Sequence, residues 1–392
     1  MEQTSTVSGG RRRPALPLLA VGVFAVGTEG LVFAGLLPGL AADLGVSVGA
    51  AGQVTTVFAL AYAVAAPLLS MLTESWRPRS TLAAGFTVFT IGNLLTALAP
   101  SLPLLLCWRI VTAAGAALIT PTSTMVAAGL AAPERRARAI AVVMTGLTVA
   151  TAAGAPAGTL IGGGFGWRAT IWAITALGIV AGAAIVLGVP ALPGRPRRGL
   201  RTRLQPLSVP AIRRILATTL IGFVAVYLFY AYVSVVYAPL TADSDFLAAL
   251  LLMIGVAGIA GNLAAGAATD RHGAHWVVTA VLLVAAAAIL VAGLSHTSHV
   301  LALVTAAAYG LAAWSITGPQ QHRLLAADTG RTGLPVAVNS SAMYFAIAIA
   351  GAVGGALADA GRWPILAVAA VAAVVAAGIS ARVGSGAIGR PE

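Results

Sequence analysis

Residues 16–37, LPLLAVGVFAVGTEGLVFAGLL, form one apolar run with a single ionisable side chain, Glu29. A helix needs about 20 predominantly apolar residues to cross a bilayer, and this run meets that length. A charge at mid-membrane costs roughly 2.5–3.5 kcal/mol even on lenient insertion scales, so it persists where a partner or a wet cavity offsets the cost. The stretch therefore marks both a spanning helix and a site.

The rest of the chain reads the same way. It is 59% hydrophobic and 9% charged, with a mean hydropathy of +0.95, where soluble domains carry about 25% charge. Short polar or Pro/Gly-rich breaks divide it into twelve candidate spans. The first six are 16–37, 52–72, 81–98, 104–128, 139–161 and 168–189; the second six are 215–237, 246–267, 277–294, 300–317, 334–357 and 363–380. Glu29 and Arg109 are expected to be the only ionisable side chains buried within them.

All 23 basic residues are arginine. Alternate connections hold all but Arg109, Arg168 and Arg362, in groups at 11–13, 77–79, 135–138, 195–214, 271, 323–331 and 382–390. Because cytoplasmic loops keep positive charge, both termini are expected in the cytoplasm. The net charge of +12 is then topological, attracted to anionic headgroups, and implies no nucleic-acid partner. Arg11–Arg13 before an apolar run imitate a signal peptide, but the run is too long and eleven spans follow, so an uncleaved first helix is expected. The single cysteine, Cys107, cannot form an intramolecular disulfide, and no metal-ligand spacing is present, so neither metal nor cofactor is expected.

The basic stretch at 190–214 divides the chain into a tail (1–15), a six-helix half (16–189), this linker, a second half (215–380) and a second tail (381–392). The halves echo each other weakly. Glu74-Ser75-Trp76-Arg77 follows the second span and Asp270-Arg271-His272-Gly273 the eighth. Gly162-Gly163 precedes Gly166-Trp167-Arg168, as Gly354-Gly355 precedes Gly361-Arg362-Trp363. Parallel repeats of six spans are an architecture of secondary transporters that bind substrate between the halves, near the midplane.

Several stretches together resemble the major facilitator superfamily, and within it the twelve-span drug:proton antiporters that include chloramphenicol-type exporters. They are Gly35-Leu36-Leu37-Pro38, Asp43-Leu44-Gly45, Gly52-Gln53, Ala66-Pro67, Arg109 with Gly115, and Gly154-Ala155-Pro156-Ala157-Gly158 with Gly162-Gly163. The resemblance covers nearly the whole chain. It implies an all-α membrane fold of two six-helix halves and alternating access. It also implies a chain that works as a monomer, with a small-molecule substrate, protons and the lipid bilayer as its partners. The second-to-third loop departs from the family pattern: Glu74, Arg77 and Arg79 are present without the usual glycine, whereas Asp270, Arg271 and Gly273 come closer.

At about 1.5 Å per residue, Glu29 lies roughly 18 Å from the cytoplasmic face and about 12 Å from the outer one in a core about 30 Å thick. Arg109 lies roughly 8 Å deep in a helix descending from outside, so the two can meet. Neighbouring charge and desolvation act oppositely on a carboxyl group. Movement that changes the pair's separation or hydration would therefore change its proton affinity, which makes Glu29 and Arg109 the candidate proton-coupling pair. A static pair buried for helix register is the competing account.

Gly154, Pro156 and Gly158 would weaken one helix's backbone ladder and admit a close neighbour. The two loop motifs would act as conformational latches or else as plain solvated charge. Gln53, Tyr227, Tyr230, Asn262, Trp314, Asn339 and Tyr344, with Tyr232 and Ser340 beside them, are candidate cavity-wall residues, since aromatic faces with a few polar groups suit amphipathic organic molecules. Helix packing and interhelical hydrogen bonding explain such residues equally well.

An ATP-driven pump would need a phosphate-binding loop with its lysine, and the chain has no lysine at all. An intramembrane enzyme would need catalytic groups within the spans, but the histidines at 272, 275, 296, 299 and 322 all sit in or beside connections. Export of drugs or other small amphipathic molecules remains, with export of sugars, nucleosides or another metabolite as the alternative. A channel or a transporter-derived sensor has no positive signature.

Overall fold

The computed structural model describes residues 15–132, 135–190, 192, 208–295, 297–328 and 334–384. Arg11–Arg13, most of the 190–214 linker, His296, Arg331 and Arg390 lie outside the described residues. Among the described residues, twelve helices are long and apolar enough to span a bilayer. In chain order these are α1 Ala15–Leu44, α2 Val48–Leu72, α3 Pro78–Ala97, α4 Leu102–Leu130, α5 Arg138–Phe165, α6 Trp167–Gly188, α7 Pro210–Ala231, α8 Ser244–His272, α9 Ala274–Ala292, α10 His299–Ala327, α11 Val338–Ala358 and α12 Arg362–Arg382.

Helices are the natural outcome of such a sequence, because in lipid each backbone N–H and C=O must find its partner within the segment. Polar residues in the short connections then cap them. Ser47 accepts a hydrogen bond from Ala50 N at 3.1 Å at the start of α2, and Asp243 accepts one from Asp245 N at 2.9 Å at the start of α8. Gly166 and Gly361 sit at φ 82° and 90°, in the left-handed region that glycine enters without a Cβ clash. These two turns occupy matching places, before α6 and before α12. The arginine that follows each one ties its helix to the end of α1 or to the segment that follows α7. Arg168 pairs with Asp43 and donates to the Ala99 carbonyl at 3.0 Å, while Arg362 donates to the Ala238 carbonyl at 2.9 Å.

The two sets of six helices meet along two seams, α2 against α11 and α5 against α8. Glycines permit the approach, as small residues do at membrane-helix interfaces. A Cβ on Gly255 of α8 would stand 2.6 Å from Ala152 Cα, and Gly49 of α2 faces the Gly355 carbonyl of α11. At the end of the molecule away from the arginine-rich connections, Gly163 of α5 also abuts Ser244 of α8. Towards the arginine-rich face the α8 seam parts. Asn262 and Gly266 lie two and three turns beyond Gly255 on the same helix face and are exposed, and no atom stands within 4 Å of a Cβ on Gly266.

One sequence expectation is corrected here. Glu29 and Arg109 are not the only buried ionisable side chains within the helices: α10 continues to Ala327 rather than ending near 317, and Arg323 is buried in its last turns. The reason is a polar network at the arginine-rich end. Arg323 Nη1 donates to Gln320 Oε1 and Ser380 Oγ, each at 3.0 Å. Gln320 Nε2 donates to the Ile215 carbonyl at 3.2 Å and to Thr219 Oγ1 at 3.0 Å. Thr219 in turn donates to Asn339 Oδ1 at 2.7 Å. A polar stretch can therefore stay helical and buried, because hydrogen bonding offsets its desolvation.

Candidate functional site

Glu29 of α1 and Arg109 of α4 form an ion pair, 0% and 1% exposed. Arg109 lies in the third turn of α4, and two aromatic rings hold it there. The guanidinium lies 4.3 Å from the Phe33 ring centre and 4.4 Å from that of Phe58, and Nε donates to the Val54 carbonyl at 3.3 Å. Desolvated cation–π contacts of this kind are worth about 2 kcal/mol or more. Neither Glu29 oxygen has a hydrogen-bond donor beyond that ion pair. A desolvated carboxylate so thinly supported responds strongly to any change in its cationic partner or in local water.

α5 packs on α1 at the two residues just before Glu29. A Cβ on Gly154 would collide with Thr28, and Gly27 lies against Leu147 and Ala150. Over Ala150–Gly154 the helix loosens into one π turn. Pro156 has no N–H to donate four residues back, to Ala152, and the wider i→i+5 turn accommodates that gap. The Ala152 backbone is also where Gly255 of α8 packs. Gly158, one turn on, faces Val32 of α1, and its carbonyl accepts from Thr170 at 2.7 Å. The Gly154–Gly158 motif therefore packs on the carboxylate's helix, while the π turn leading into it meets the opposite half at Ala152.

The second half brings aromatic side chains to the same level. Trp314 of α10 meets Tyr227 and Tyr230 of α7 edge to face, with ring centres 5.9 and 6.0 Å apart, and its Nε1 is buried without a partner. Tyr230 Oη reaches across to the Leu31 carbonyl at 3.5 Å, two residues from Glu29. Tyr344 of α11 stacks on Tyr62 of α2 at 3.7 Å. Sequence reasoning missed Tyr62, which sits in an apolar run with nothing local to separate it from core packing.

The remaining candidates fall elsewhere. Asn339 is engaged in the Arg323 network, and Tyr232 donates to the Gly351 carbonyl at 2.8 Å in the α2–α11 packing, away from the aromatic group. Gln53 packs at the α2–α11 seam against Gly355. Asn262 stands on the exposed part of α8, and Ser340 is exposed. Of the loop motifs, Glu74 and Arg79 are half-buried and Arg77 is exposed. Asp270 and Arg271 are exposed and form no ion pair with each other, and Gly273 holds the turn at φ 82°. Among the described residues there is no cluster of three His, Cys, Asp or Glu side chains able to hold a metal ion.

Comparison with known proteins agrees with this architecture. Residues 19–320 match the family model of the Major Facilitator Superfamily. The inner membrane transport protein YdhP of Escherichia coli K12 is 31% identical over 344 residues, covering 88% of each chain. A chloramphenicol resistance protein of Streptomyces lividans is 36% identical over 276 residues, covering 68% of this chain and 69% of its own. Among solved structures, a D-xylose-proton symporter superposes with a TM-score of 0.76 at 17% identity, covering 93% of this chain and 96% of that one. With twelve apolar spans and relatives of this kind, the chain belongs to the major facilitator superfamily and is a multi-pass transporter of the inner membrane.

Proposed function

We propose that this transporter exports small amphipathic organic molecules, drugs among them, in exchange for protons, with its arginine-rich face in the cytoplasm. The observation that carries the reading is the Glu29–Arg109 pair, a carboxylate wholly out of water beside the seam where the two halves meet. Glu29 takes up the incoming proton, and substrate competes with that proton. Arg109 sets the carboxylate's proton affinity through their separation. The parting of the α8 seam towards the arginine-rich face supports an inward-open resting state. The 36%-identical chloramphenicol resistance protein favours drugs over metabolites as the cargo.

Acidified everted vesicles test this reading. Compounds that are cargo should release protons, seen as fluorescence dequenching, only where the protein is present. Silence across drugs and metabolites, with insertion confirmed, would refute proton-coupled export of these classes.

Two variants probe the parts. Trp314→Ala removes two edge-to-face contacts, each worth about 0.5–1.5 kcal/mol. It should weaken the apparent affinity for aromatic cargo roughly tenfold while leaving maximal flux near wild type, read from the concentration dependence of dequenching. Pro156→Ala restores an N–H and favours regular α-helix over the π turn. It should slow transport several-fold with unchanged membrane insertion; normal kinetics would remove the π turn from the mechanism.

A further inference from the structure

Outside the central site, a groove of about 700 Å³ runs down the surface between α8, α9 and α10, near the arginine-rich face. Its walls are small and apolar, with Ala264 and Ala268 on one side and Ala280 on the other, and Ser315 lies on its floor. Exposed apolar side chains flank it, Leu263 on α8 and Leu283 and Val284 on α9. This surface therefore faces lipid.

The mouth has a different chemistry. His272 and Trp276 line it, and Trp276, 61% exposed, is placed as interfacial tryptophans are. Arg271 is exposed beside His272 at the end of α8. Asp270 lies two positions from Ala268, about 200° round the helix at ~100° per residue, and so turns away from the groove.

We infer that the groove binds one anionic phospholipid of the arginine-rich leaflet, with an acyl chain laid along the alanines and the phosphate at Arg271 and His272. Water cannot satisfy walls without polar partners, and an unfilled apolar groove forfeits its dispersion contacts. Its volume falls within the range of about 300–1,000 Å³ typical of ligand sites. A basic pocket between helix ends on this face selects an anionic headgroup. The floor adds a consequence: Ser315 belongs to the 3-10 turn Trp314–Ile316 that interrupts α10, and Trp314 is the aromatic partner of Tyr227 and Tyr230. A lipid seated here therefore rests against the back of the central aromatic group.

Native mass spectrometry of the detergent-purified protein tests the inference, with phosphatidylglycerol and phosphatidylcholine of matched chains as probes. Preferential retention of phosphatidylglycerol is expected. Arg271→Gln should weaken that retention about fivefold. Ala268→Trp, which fills the groove, should abolish it, and Ala280→Leu on the opposite wall should reduce it by a route independent of any folding defect in the first variant. Equal retention of the two lipids, or retention untouched by both groove-filling variants in folded protein, would overturn the assignment. So would displacement of the groove's occupant by a transported drug, which would make the groove a cargo site instead.

Discussion

Glu29→Gln is expected to reduce substrate-driven proton release to the level of membranes lacking the transporter. Every other acid among the described residues lies in the first or last turn of a helix or in a connection, so none stands at the depth where the halves meet. Glutamine keeps the shape of the side chain and removes the titratable group. It also leaves Arg109 without its counter-charge, and breaking a buried pair from one side costs about 3–5 kcal/mol. The double variant Glu29→Gln/Arg109→Gln separates the two effects. It should recover much of the lost thermal stability in detergent and none of the proton coupling. Recovery of coupling in the double variant would assign the carboxylate a purely structural role.

Arg109→Lys is expected to be almost as damaging, although it conserves charge. The guanidinium is planar, lies over the rings of both Phe33 and Phe58, and donates through Nε to the Val54 carbonyl. An ammonium is a compact point charge that can serve only part of this arrangement and holds its water more tightly. Loss of one ring-face contact alone is worth about 2 kcal/mol when desolvated. Drug-dependent proton release should fall at least tenfold, with a lowered unfolding temperature. Arg168→Lys is the contrast. That arginine is 36% exposed in its pair with Asp43, where a surface pair contributes about 0–1 kcal/mol, so transport should be nearly unchanged. Equal damage from both substitutions would show that the two ring contacts have no special part.

Much of this was legible without coordinates, for physical reasons. Membrane helices are specified by the length of apolar runs, so all twelve were found. Rise per residue alone placed Glu29 and Arg109 at depths that could meet, and the two side chains do pair. The misreading of where α10 ends arose where side-chain hydrogen bonding replaced hydropathy as the controlling term. Gln320 and Arg323 extend α10 beyond its apolar part because Thr219, Ser380 and the Ile215 carbonyl receive them. Asn339 was drawn into the same network. The π turn at Ala150–Gly154 was foreshadowed only by Pro156, since a one-residue change in hydrogen-bond register has no hydropathy signature. Tyr62 is identical in local pattern to the residues around it; its role against Tyr344 comes from the α2–α11 contact, which no short stretch of sequence encodes.

The central claim is that substrate and proton compete at Glu29. Calorimetric titration of the purified protein with a transported compound, in two buffers of different ionisation enthalpy, counts the protons released per molecule bound. The account predicts net proton release by the wild-type protein and none by Glu29→Gln at retained binding. Equal release by the two proteins would place the exchanged proton on another group and contradict the account.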